Sequence, residues 1–356
     1  LRLAALWIGD EFMATSSPKT LWLKRGLSLL ALAVVLYLFW PLLGELRAAA
    51  HLFLQARWEW FPLILAIQVV SYGLLAWLNE LALRPFPGQR LGLGRMAALL
   101  TSMAFIEVAI PSAGASGLVL RARLLGKHGY TAEASTFTLA VESFFLGLVW
   151  VGIALVGLFY LLWDDTLQGW QAGLLLSGVL PLAVGGWRFW QVLNDAQRSQ
   201  LWLDRFARAW EGWRAAGFPL LRRLPSLDLE RLKERLSQFH ASLEQFRQVP
   251  VWQFLLAALG RVLLDIATLG ACFLFFGHPL SPGVLLIGYS LILTTSALAA
   301  LPGGLGMADL SIPGIFLKLG VSGAAAISAG LLYRLIAFWL VRFIGFLSWQ
   351  FLEGRP

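Results

Sequence analysis

The 356-residue chain is 58% hydrophobic and only 13% charged, with a formal net charge of +8. A soluble domain would carry roughly 25% charged residues, so the chain reads as a membrane protein. Its basic residues are scattered between apolar runs instead of forming a nucleic-acid-binding patch, and its one cysteine, Cys272, excludes an internal disulfide. Four separated histidines, His51, His128, His240 and His278, have no metal-ligand spacing, so neither a metal nor another cofactor is expected.

Residues 1–19 form a tail in which Leu1 to Phe12 precede Met13, an alternative start. Lys19, Lys24 and Arg25 then lead into the apolar stretch Gly26 to Leu43. This imitates a signal peptide, but the run is too long and Glu45 and Arg47 lie beside the would-be cleavage site, so a retained first helix is expected. A span needs about 20 apolar residues. The candidates are 24–43, 60–83, 134–163, 170–193, 251–276 and 323–352.

Two further apolar stretches, 95–110 and 283–301, each run into a Pro/Gly break. The breaks are Pro111-Ser-Ala-Gly114-Ala-Ser-Gly117 and Pro302-Gly303-Gly304-Leu-Gly306. The halves that follow, 114–125 and 307–320, are too short to recross, so 95–125 and 283–320 are expected to be re-entrant hairpins. Lipid cannot satisfy freed backbone groups, and such breaks survive at bilayer depth only inside protein or against a wet cavity. If 95–125 leaves and returns on one side, Arg84, Arg90, Arg95, Arg121, Arg123 and Lys127 all fall in the cytoplasm, as the positive-inside rule prefers. Pro111 precedes Gly129 by 18 residues, and Pro302 precedes Gly320 by the same interval. Each unit leads into a long helix, so the two read as inverted repeats.

The expected organisation is therefore an all-α polytopic bundle. Residues 20–193 form an N-terminal membrane half and 251–356 a C-terminal half. Between them, 194–250 is a cytoplasmic amphipathic insert. Its apolar positions, among them Trp202, Phe206, Trp210 and Trp213, repeat at helical spacing and suit a headgroup surface or a docked partner.

Charge at membrane depth marks the candidate site, because it costs at least ~2.5–3.5 kcal/mol at a helix centre. Arg121 follows the first break and either grips an anionic headgroup or snorkels to the cytoplasmic surface. Glu142 and Arg334 lie roughly 12 and 16 Å along their helices and suit an ion pair between the two repeats. Arg261 and Asp265 are four apart and suit an intrahelical pair. Glu107 and Asp309 flank the breaks as proton or headgroup partners, and Tyr333 and Arg342 extend the polar track. The stretch Gly114-Ala-Ser116-Gly117 matches the serine signature of rhomboid proteases, but no histidine lies deep in a span to activate it, so no catalytic residue is assigned.

Pro302-Gly-Gly-Leu-Gly306-x-x-Asp309, Gly320-Val-Ser, Leu332-Tyr-Arg334 and Phe338-Trp339 together resemble the C-terminal signature of the lysylphosphatidylglycerol synthase transmembrane, flippase-like family. The first break with Arg121, and Val141-Glu142-Ser143, resemble its N-terminal signature. Asp309 stands where the family commonly has glutamate, and Ser112, Ala113 and Leu118 leave the first turn uncharged. Bifunctional relatives add a soluble synthase domain. The resemblance implies here the lipid-translocating half, handling a phospholipid, glycolipid or polyprenyl-linked lipid, and the positive-inside bias puts both termini on the cytoplasmic side of a cell inner membrane. The alternatives are a membrane-embedded lipid-modifying transferase, or a non-transporting partner of a separate lipid-synthesis enzyme.

Overall fold

The structure, a computed structural model, describes residues 52–110, 115–163, 195–215, 249–298 and 307–353, with isolated positions between them. Among these residues all regular structure is helical. A short turn at Trp58–Trp60 leads into α1 (Phe61–Leu83), followed by α2 (Leu93–Ala109), α3 (Ala115–Gly126) and α4 (Ala132–Trp163). Helix α5 (Ala196–Ala215) lies in the insert. Then come α6 (Val251–Phe275), α7 (Pro282–Leu298), α8 (Met307–Lys318) and α9 (Gly323–Tyr333). The last of these runs through a π-helical stretch, Arg334–Leu340, into α10 (Val341–Glu353). Among the described residues, four helices are long and apolar enough to cross a membrane: Trp58–Leu83, Ala132–Gly157, Val251–Phe275 and Gly323–Leu352.

Helices α1 and α6 are antiparallel neighbours. The Arg57 N–H donates to the Phe275 carbonyl at 2.8 Å at one end. At mid-length a Cβ on Gly260 would meet the Leu74 side chain. Helix α4 packs on α1, α6 and α7, and its Phe145 stacks on Phe254 with ring centroids 5.1 Å apart. The outer faces are apolar: Val69 on α1 is 72% exposed and Leu256 on α6 is 53% exposed. Apolar exposure on this scale suits lipid contact.

Each broken unit folds back on itself. Helices α2 and α3 pack together, and the Gln89 N–H before α2 donates to the His128 carbonyl after α3 at 2.9 Å. The chain therefore leaves and returns at one face. Helices α7 and α8 also pack together, with the Phe316 ring near the end of α8 lying over Gly288 and 4.7 Å from the ring of Phe273. Phe273 lies near the end of α6, at the face opposite the Gln89–His128 contact. The two units thus open at opposite faces. The break residues 111–114 and 299–306, and with them Pro111, Gly114, Pro302, Gly303, Gly304 and Gly306, lie outside the described residues, as do the proposed spans 24–43 and 170–193.

The continuous helix expected over 323–352 contains the π stretch instead. Exposed apolar residues recur every four positions along it, at Leu331, Leu335, Trp339, Phe343, Leu347 and Phe351. A four-residue spacing drifts by about 40° per step around an α-helix of 3.6 residues per turn. The wider π turns offset that drift and hold the row outward.

Helix α10 packs closely on α2, antiparallel to it. Phe105 lies against both Phe346 and Trp349, with centroids 5.3 and 6.1 Å apart. The Lys127 ammonium after α3 donates to the Leu352 carbonyl at 3.2 Å. Gly345 permits this approach, since a Cβ there would collide with the Thr101 carbonyl. Small residues at such crossings are how membrane helices gain close packing. Replacing Gly345 by leucine is expected to cost about 1–3 kcal/mol. Its unfolding temperature in detergent should fall clearly below that of Gly94→Ala, whose Cβ meets open space.

Candidate functional site

The polar residues at membrane depth fall into three clusters around Tyr72 of α1. A stripe on α1 supplies several members: Gln68, Ser71, Tyr72 and Asn79 recur at helical spacing along a span that is apolar apart from these and Glu80. Sequence reasoning passed over these uncharged residues. Their signal was that spacing, which places them all on the face turned inward.

The first cluster joins α1, α3 and α4. Arg121 is only 1% exposed; its Nη1 lies 3.2 Å from the Glu142 Oε2 carboxylate, and its Nη2 donates to the Asn79 amide oxygen. Asn79 in turn donates to the Leu75 carbonyl at 2.9 Å. Arg121 therefore does not snorkel to the surface as one reading expected, because its guanidinium is locked between helices. Glu142 pairs with Arg121 within the first unit, so the expected Glu142–Arg334 pair between repeats is not formed.

The second cluster joins α1, α6, α7 and α9. Arg261 and Asp265 form the expected intrahelical pair, Nη1 to Oδ1 at 3.1 Å. The arginine also donates to the Ser71 hydroxyl at 2.6 Å and lies over the Tyr72 ring, 5.1 Å from its centroid. The other carboxylate oxygen of Asp265 accepts from Tyr289 at 2.7 Å and from Tyr333 at 3.2 Å. One carboxylate thus ties together α7 before the second break and α9 after it. Beside this cluster lies a cavity of about 320 Å³, lined by Trp150 of α4, Arg261, Val262 and Asp265 of α6, and Tyr289 and Leu293 of α7. The buried indole N–H of Trp150 has no hydrogen-bond partner among the described residues. The lining of the cavity is mostly apolar.

The third cluster sits on the π stretch and the start of α10. Arg334 and Arg342 both stack on Phe338, their guanidinium carbons 4.0 and 3.6 Å from its ring centroid. Arg342 also donates to the Phe338 carbonyl at 3.2 Å. Four-residue spacing on this helix aims 334, 338 and 342 inward along one row, the counterpart of its outward apolar row. Glu107 of α2 lies within electrostatic reach of Arg342 and of Glu142. Its carboxyl packs against Gly117 of α3, where a Cβ would overlap it. Tyr72 lies within reach of Arg261, Arg342, Asp265 and Glu142, so it sits where the clusters meet.

The structure therefore brings Glu107, Arg121, Glu142, Asp265, Tyr333, Arg334 and Arg342 into one polar interior, with Gly117 at its edge. Asp309 belongs to α8, and its side chain lies outside the described residues. No group of three or more potential metal ligands occurs among the described residues. In the insert, α5 presents Trp202 and Phe206 at 57% and 49% exposure, and Asp204 reaches Lys233 at 3.2 Å.

Removing one member of a buried ion pair leaves the other uncompensated, at a cost of about 3–5 kcal/mol. Glu142→Gln is therefore expected to destabilise the chain more than Glu142→Gln combined with Arg121→Met. Thermal unfolding in detergent measures the difference, and the double substitution should recover much of the loss.

Comparison with known proteins fits this architecture. The family described as "Lysylphosphatidylglycerol synthase TM region" matches residues 28–345. A UPF0104 membrane protein of Methanothermobacter thermautotrophicus is 33% identical over 135 residues, 35% of this chain. The chain spans about 40% of that relative's length. With a match over most of its length, and several helices able to cross a bilayer, the chain is a multi-pass membrane protein and belongs to the lysylphosphatidylglycerol synthase transmembrane-region family.

Proposed function

We propose that the protein is a flippase-like lipid translocase that passes a polar lipid headgroup through the interior between α1, α4, α6, α7 and α9. The observation that carries this reading is the cavity at mid-helix depth, whose mostly apolar lining also includes Arg261, Asp265 and Tyr289. A lipid is the ligand whose own chemistry has that mixture. In this reading the two folded-back units are re-entrant hairpins related as inverted repeats, as their opening at opposite faces supports. The chain moves or holds a phospholipid, glycolipid or polyprenyl-linked lipid and performs no covalent step.

Orientation follows from charge. Arg84, Arg90, Arg95, Arg123 and Lys127 gather at the face where α2 begins, α3 ends and α10 terminates. The positive-inside rule places that face, and the C-terminus, in the cytoplasm of a cell inner membrane.

In proteoliposomes, fluorescent phospholipid, glycolipid and polyprenyl phosphate analogues are expected to change leaflet faster than in empty vesicles for at least one class. Asp265→Asn should slow that movement about tenfold or more, since the charge that pairs with Arg261 is lost and the acceptor shared by Tyr289 and Tyr333 is weakened. Tyr289→Phe, which removes one hydroxyl, should slow it less. Movement no faster than in empty vesicles with all three classes would overturn the reading.

A further inference from the structure

Apart from Glu80, which lies near the end of α1 and has a buried oxygen that finds no partner among the described residues, three carboxylates lie at membrane depth, and two are closed. Glu142 is held by Arg121, and Asp265 by Arg261 and two tyrosine hydroxyls. Glu107 differs from both. It is half-buried, and no hydrogen bond or ion pair reaches it from any described residue. A lone ionised carboxylate in a low-dielectric setting is far costlier than a neutral one.

Its surroundings are specific. From α3, Gly117 gives it a seat, while the Ser116 hydroxyl is turned away to the Ile110 carbonyl at 3.0 Å, and Arg121 is occupied by Glu142 and Asn79. From α4, Glu142 contributes like charge. From α10, Arg342 is the cation within electrostatic reach, yet no ion pair is closed between them. Arg342 keeps a buried Nε without a partner. Arg342 faces Arg334 as a like charge and Tyr72 as a polar neighbour.

We infer that Glu107 is a proton carrier whose protonation is linked to headgroup binding at Arg342. The inference rests on the translocase reading and adds a second headgroup contact at Arg342, which does not line the cavity but meets the Arg261 cluster at Tyr72. Arg342 serves one anion at a time. With Glu107 ionised, the two charges attract between α2 and α10, and the positive charge of Arg342 is partly offset. A proton taken by Glu107 from water cancels that attraction and leaves Arg342 for an anionic headgroup. Headgroup release returns Arg342 to Glu107, which gives its proton back to water. One proton thus accompanies each anionic headgroup. By linkage, whatever anion occupies Arg342 must favour the protonated carboxyl to the same degree that the proton favours the anion.

The test reads the carboxyl directly in the full chain. Dicyclohexylcarbodiimide modifies protonated carboxyls in apolar surroundings, and peptide mass spectrometry locates the adduct. In vesicles of phosphatidylcholine, labelling is expected at Glu107 in acid and to fade several-fold as pH rises, with Glu142 and Asp265 unlabelled. In vesicles containing phosphatidylglycerol, the fading should move to higher pH. Part of that shift comes from the anionic surface itself, so Arg342→Gln is the control, and the shift should shrink there. Absent or pH-independent labelling of Glu107 overturns the inference, and so does a shift equal in wild type and Arg342→Gln. An imposed pH step should also speed movement of fluorescent phosphatidylglycerol several-fold in wild type but not in Glu107→Gln. Translocation indifferent to the step sinks the proton link alone. Absence of all lipid movement sinks the translocase reading, and labelling still decides whether Glu107 carries a proton linked to an anion at Arg342.

Discussion

A charge inside a bilayer must find a partner, and the interior of this protein is arranged around that requirement. Arg121 and Arg261 each sit at a junction of helices, and each is answered by a carboxylate and by a neutral oxygen from α1. The pairs therefore do two things at once. They neutralise charge, and they fix the relative positions of helices that lipid alone would not press together, because tails and side chains are equally apolar. Helix α1 supplies the neutral partner both times, which makes its polar stripe the spine of the bundle.

The broken units gain their places from the same rule. Freed backbone groups at a Pro/Gly break need protein around them, and the helices on either side of each break pack against the rest of the bundle. Helices α2 and α3 lie against α1, α4 and α10, and α7 and α8 against α4, α6 and α9. The close crossing at Gly345 and the seat for Phe316 at Gly288 let this packing be tight without large side chains at the contact.

Much of the fold was legible in the sequence because hydropathy and Pro/Gly punctuation act locally. The spans at 60–83, 134–163 and 251–276, and the half-helices after each break, lie within a few residues of the helices observed. The intrahelical Arg261–Asp265 pair was legible for the same reason, since four-residue spacing alone brings the groups together. Partners across helices were not. Glu142 was expected to face Arg334, and only the folding of α3 onto α4 gives it Arg121 instead. Asn79, Tyr289 and Trp150 were hidden because an uncharged polar residue in an apolar run carries no cost large enough to stand out by itself. The π stretch was hidden too, although rows of four-residue spacing on both sides of that helix were its trace.

That stretch has a mechanical consequence. A π turn holds one residue more than the α turn it could become, and one residue in an α-helix corresponds to about 100° of rotation. Moving the irregularity along the segment would therefore swivel whatever lies between its old and new positions, while the ends stay anchored by Tyr333 at Asp265 and by Gly345 against α2. Arg334 and Arg342 bracket the interval. In the register present, the π turns set the facing of Arg334 and Arg342, which eight residues of regular α-helix would place about 80° apart.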